Sequence, residues 1–158
     1  MPTETSLRFT LRNRQKLRAI DTRHFRRVLR HYLHRILEIE RSDLCFHLVD
    51  APEMTRINER FLNHTGSTDV ITFDHRDDPG SGALYGEIFI CVADALKQSR
   101  QFRCDWTNEL IRYAVHGVLH LCGYDDLTES ARREMKKAEN RCLRKLGAEF
   151  NFALLERQ

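Results

Sequence analysis

The stretch from His116 to Asp126 reads His-Gly-Val-Leu-His-Leu-Cys-Gly-Tyr-Asp-Asp. His116 and His120 are four residues apart, a spacing that puts both imidazoles on one face of an α-helix, about one turn from each other. Two neutral imidazoles so placed reach one small cation, as in helical His-x-x-x-His metal motifs. Gly123 reads as the helix stop, because glycine accepts the left-handed conformation required there. A reversal at Gly123 returns Asp126 to the same cation. Two imidazoles and one carboxylate leave a fourth position open, the arrangement of a catalytic rather than a structural zinc site. Other readings of single residues stay open. Asp126-x-x-Glu129 is also a capping box for a following helix, Tyr124 can be packing, and Cys122 a small buried apolar residue.

The elements that position this stretch are legible as patterns. Leu7, Phe9 and Leu11 alternate with polar residues, as a strand does. Asp21 or Thr22 caps a helix whose apolar stripe is Phe25, Val28, Leu29, Tyr32, Leu33, Ile36 and Leu37. Leu44, Phe46 and Leu48 make a second strand. Pro52 fits the first turn of a helix running to about Leu62. Thr68 to Phe73 is a third strand and Gly86 to Cys91 a fourth, paired antiparallel across the polar loop of Asp74 to Ala83. Asp94 is expected to cap a short helix ending before Cys104, and Asp105 the helix that carries the histidines on a core face of Trp106, Leu110, Tyr113 and Ala114. Glu109 and Arg112 read as surface groups. A last helix follows Asp126 to about Leu146, with Ala131, Met135, Ala138, Cys142 and Leu146 inward. The expected fold is α+β: a single domain over 1–158, a four-stranded mixed β-sheet with packed helices, in the order β-α-β-α-β-β-α-α-α. Strands one to three are expected to be largely parallel, joined by helical crossovers.

Composition narrows the class. The 158 residues, 41% hydrophobic and 31% charged, suit one globular domain with a real core. The first residues lack the apolar centre of a signal peptide. No apolar run approaches bilayer length, so a cytoplasmic location without membrane partners is expected. Cys45, Cys91, Cys104, Cys122 and Cys142 are odd in number and widely spread, which favours reduced, mostly buried thiols over disulfides. Net charge is only +3, but between Arg12 and Ile36 the sole acid is Asp21. Arg23, Arg26, Arg27 and Arg30 share the polar face of the first helix, a pattern that attracts polyanions.

The His116–Asp126 stretch resembles the signature of the YbeY endoribonucleases, bacterial ribosomal RNA maturation factors, His-Gly-x-Leu-His-Leu-x-Gly-Tyr-Asp-His. It matches at His116, Gly117, Leu119, His120, Leu121, Gly123, Tyr124 and Asp125 and departs at Asp126, where the family has a third histidine. Thr68, Asp69, Val70 and Phe73 match the family's Thr-Asp-Val-Leu-Ser-Phe, and Gly86 and Ile88 its Gly-Asp-Ile. Leu62 stands where many relatives have an arginine facing the cleft, and Arg60 is the nearest replacement by position. The resemblance implies a single-strand-specific, zinc-dependent endoribonuclease acting in 16S rRNA 3′-end maturation and late ribosome quality control. It implies one Zn2+ per chain on His116, His120 and Asp126, with single-stranded ribosomal RNA and the small ribosomal subunit and its proteins as partners. The basic helix and Arg60 would hold RNA. Two alternatives remain: a non-catalytic ribosome-assembly factor with a structural metal, and a metallopeptidase. Against the peptidase, the residue after the first histidine is Gly117, where metzincin proteases need a glutamate as general base.

Overall fold

A computed structural model describes residues 6–157. Met1–Thr5, the start of the segment read above as lacking a leader, and Gln158 lie outside them. The elements are β1 (Ser6–Asn13), α1 (Thr22–His31), β2 (Arg41–Val49), α2 (Ala51–Leu62), β3 (Val70–Asp74), β4 (Leu84–Cys91), α3 (Val92–Phe102), α4 (Trp106–Leu121) and α5 (Glu129–Glu149). The order and the α+β class are those expected from the sequence.

The sheet order is β1-β2-β4-β3. β1 pairs β2 and β2 pairs β4 in parallel, while β3 lies antiparallel to β4 at the edge. The third strand is therefore not parallel to the first two, contrary to expectation. The link that follows α2 turns the chain back along β4, and the short Asp74–Ala83 connection can only join antiparallel neighbours.

Most of the core lies on one face of the sheet. Leu44, Phe46 and Leu48 from β2 and Ile88 and Ile90 from β4 meet Phe25, Val28 and Leu29 of α1 and Leu110, Ala114 and Val118 of α4. A smaller cluster of Val49, Met54, Ile71, Phe89 and Cys91 seats α2 on the other face. Asp21 caps α1, its carboxylate accepting the His24 amide at 3.0 Å. The α1 stripe is buried through Leu33 by a π turn over Tyr32–Ile36, and the Tyr32 hydroxyl donates to the Val115 carbonyl of α4 at 3.1 Å. α3 starts at Val92, with Cys91 and not Asp94 at its cap. Asp94 lies inside the helix and accepts from the Tyr113 hydroxyl at 3.2 Å, which ties α3 to α4. All five cysteines are free; Cys91 and Cys142 are buried, Cys45 and Cys104 half-buried, and Cys122 is exposed, so the apolar-filler reading of Cys122 does not hold.

Candidate metal centre

α4 is buried along almost its whole length, but His116 and His120 emerge half-buried on one side near its C-terminus. Their Nε2 atoms are 2.9 Å apart. Gly123 takes φ +105° and ends the helix; its amide bonds the His120 carbonyl and the Tyr124 amide bonds that of Leu119. The chain reverses, and the Asp126 carboxylate comes to 3.6 Å from both Nε2 atoms. Thr128, not Asp126, caps α5, its hydroxyl accepting the Ala131 amide. This resolves the two readings of Asp126 toward the imidazoles.

The three donors lie within 4.8 Å of one another. A tetrahedral ion with bonds of about 2.0–2.2 Å sets its ligands about 3.3–3.6 Å apart. Separations of 2.9, 3.6 and 3.6 Å bracket that value, so the residues fit such an ion with small adjustments. The other ring nitrogens are occupied in the manner metal ligation needs. His120 Nδ1 donates to the Tyr124 carbonyl at 3.1 Å. His116 Nδ1 meets the Glu139 carboxylate of α5. Both contacts leave Nε2 facing the shared point.

Glu139 is 5% exposed, yet it bonds His116 on one oxygen and Arg112 Nη1 on the other at 3.2 Å. Burial opposes charge on either member of the His116–Glu139 pair. Burial is the largest single effect, but the mutual hydrogen bond and the attraction of surrounding opposite charges together outweigh it, holding the histidine pKa above and the glutamate pKa below their usual values. Glu139 was not singled out from the sequence. Its signal is an acid inside the apolar stripe Met135, Ala138, Cys142, Leu146, at a position facing α4. Arg112, read as a surface group, instead links Glu139 to Asn140 from a half-buried position.

Two small clefts flank the histidines. One, about 270 Å³ beside His116, is lined in part by Asp69, Arg112, Tyr113, Lys136 and Glu139. The other, about 280 Å³ beside His120, is lined by Leu62, Val70, Ile71, Thr72 and Asp74. Leu62 thus faces the centre, as its sequence position implies, whereas Arg60 lies with Glu53, Arg56 and Phe61 elsewhere on α2, its guanidinium 5.3 Å from the Phe61 ring. The structure does not bring Arg60 to the histidines. Arg23, Arg26, Arg27 and Arg30 are all exposed on α1, which packs against β1 and the C-terminal turn of Phe152–Leu155. Gly117 faces the sheet: a Cβ there would come within 2.6 Å of Ile88 Cγ2 and 3.3 Å of Thr72 Oγ1. The metzincin position for a general base is closed by packing here.

A helix-borne imidazole pair closed by a carboxylate, seated on an α+β sheet, defines a candidate metal centre of the hydrolytic kind. The family model described as Endoribonuclease YbeY matches residues 10–147, and the chain belongs to that family. Proteins named Endoribonuclease YbeY from Azobacteroides pseudotrichonymphae and Salinibacter ruber are 33% and 30% identical to it. Those alignments cover 82% and 90% of this chain and 87% and 94% of those proteins. One from Elusimicrobium minutum is 38% identical over 62% of this chain and 70% of its own length. A solution structure from Thermotoga maritima superposes with a TM-score of 0.66 at 24% identity, covering 89% of this chain and 90% of that one, and shows the same fold.

Proposed function

We propose that this chain is a metal-dependent endoribonuclease that cleaves single-stranded RNA, with His116, His120 and Asp126 holding one zinc ion. The observation that carries this reading is the convergence of three donors whose two imidazoles are each oriented from behind, by Glu139 and by the Tyr124 carbonyl. When bound, zinc supplies charge neutralisation at a phosphoryl oxygen and acidifies water. The chain supplies the rest. In the cleft beside His116, Asp69, Glu109 and Glu139 are balanced in part by Arg112, paired with Glu139 at 3.2 Å, and by Lys136, whose side chain is 60% exposed. Lys136 is the cation there that a phosphate of the RNA backbone would meet. The groove of Leu62, Val70 and Ile71 offers apolar contact to a base, which only an unpaired strand can turn into it. The imidazoles, 23% and 28% exposed, leave the centre open to substrate on one side.

On this reading the substrate is the 3′ region of 16S ribosomal RNA, cleaved in maturation and late quality control on the small ribosomal subunit in the cytoplasm. No described helix is long and apolar enough to cross a membrane.

Purified chain should cleave single-stranded RNA with zinc bound and lose that cleavage after His116→Ala plus His120→Ala. Metal content and circular dichroism should be measured on the same samples. Cleavage that survives in the folded, metal-free double variant overturns the reading. A metal-loaded wild type that binds ribosomal subunits but cleaves nothing supports the assembly-factor alternative.

A further inference from the structure

A second cluster of ligating side chains lies on the face of the sheet turned away from α4. Ile88 points toward Gly117 of α4, so by strand alternation Glu87 and Phe89 point the other way. In the parallel register of β2 and β4, Cys45 is level with Glu87 and His47 with Phe89. Cys45, His47 and Glu87 each offer one ligand atom, and these lie within 4.8 Å of one another.

The donors are held in place. The His47 ring stacks on Phe89 at 4.2 Å and 5° and is only 5% exposed, which fixes its plane. Its Nε2 meets Glu87 Oε1 at 2.9 Å. The second oxygen of Glu87 meets His75 Nε2, also at 2.9 Å, from the segment just after β3. His75 therefore orients the carboxylate as Glu139 orients His116. Cys45 is half-buried and lies outside both core clusters.

The geometry points to a second metal site, in which Cys45, His47 and Glu87 take a zinc-class divalent transition ion and clip β2 to β4. A thiolate, an imidazole and a carboxylate together suit such ions, and the sulfur disfavours magnesium or calcium. The site is separate from the His116 centre, which lies across the sheet and contains no sulfur donor.

The proton balance is simple. In the metal-free chain Arg14 Nη2 lies 3.3 Å from His47 Nδ1, so the ring proton sits on Nε2 and faces Glu87. On binding through Nε2, that proton moves by way of solvent to Nδ1, and the Cys45 thiol gives up its proton to solvent. Arg14 then yields its long contact to the ring while keeping its ion pair with Glu53 at 2.8 Å. The Arg14 guanidinium, in contact with the ring, and Arg12, level with His47 across the β1–β2 pair, are both nearby cations that oppose the ion.

Cobalt(II) titration tests the site, because a thiolate ligand gives a sulfur-to-cobalt charge-transfer band that imidazoles and carboxylates cannot give. Wild-type chain should bind two cobalt ions and show that band. Cys45→Ser should bind one and lose the band, with the His116 centre still loaded. His116→Ala plus His120→Ala should bind one and keep it, and Arg14→Gln should shift its midpoint to lower cobalt. Because Cys45→Ser changes one half-buried atom, its loss of the band does not depend on a variant that might misfold. A wild type with no such band, or a band of equal intensity in Cys45→Ser, overturns the proposal.

Discussion

Replacing Glu139 by glutamine keeps its shape but removes the charge behind His116. We expect zinc affinity to fall about 10- to 100-fold, read by competition with a chelating dye, while the circular dichroism spectrum stays that of wild type. At Gly117 the constraint is space. Gly117→Ala gains up to about 1 kcal/mol of helix propensity, but overpacking against Ile88 costs about 1–3 kcal/mol. Urea unfolding should therefore show a net loss of stability. At this scale the sequence was informative where chemistry and spacing coincide. The His116–His120 pair, the stop at Gly123 and the return of Asp126 follow from helix periodicity and one glycine. Glu139 was harder to see because its partner is 23 residues away, and its one local mark is that it interrupts the apolar stripe of α5. Cys45, His47 and Glu87 were hidden for a similar reason: their proximity depends on β2 pairing with β4, which no local pattern encodes.

Among the elements, the junction of α4 with the segment after β3 depends on Arg76. Its side chain is 10% exposed. It grips the Asp74 carboxylate, with Nη2 at 2.7 Å, and reaches the Leu121 carbonyl at the end of α4. Arg76→Ala should cost about 1–3 kcal/mol, since a helix-terminal carbonyl loses its donor. The Arg76 hydrogen bonds hold the Asp74 carboxyl below its usual pKa of 3.8. A lowered carboxylate pKa contributes stability that is present above the unfolded value and is lost as pH falls through the folded value. Acid titration of stability should therefore fall less steeply below about pH 4 in Arg76→Ala than in wild type. The helices and strands themselves were legible because their apolar stripes match the periods of 3.6 and 2. The direction of β3 was not. A helix and a turn-rich link leave either direction open, and the choice is made by pairing with β4.

For the whole molecule, function requires that RNA reach a centre near the end of α4 while the cationic face of α1 lies beside β1 and the C-terminal turn. If α1 holds the backbone of a long substrate, changing Arg23, Arg26, Arg27 and Arg30 to glutamine weakens binding without changing zinc content. The salt dependence of binding should lose up to about 3 in slope, near 0.7 for each phosphate contact on a single strand. Cleavage of a short oligonucleotide, which cannot span both places, should be unaffected. Composition and charge pointed to this surface; how far the strand must run depends on the fold.

The two imidazoles ride on a rod locked into the interior, whereas Asp126 hangs from a strap that ends at Leu127, 84% exposed. An ion held by these three donors would therefore be gripped unequally, and its escape would begin on one side. Chelators should strip the zinc at a rate set by how often the strap lifts, long before the rod loosens. A crosslink or proline that stiffens the strap would lengthen the ion's residence time and leave the melting point almost where it was.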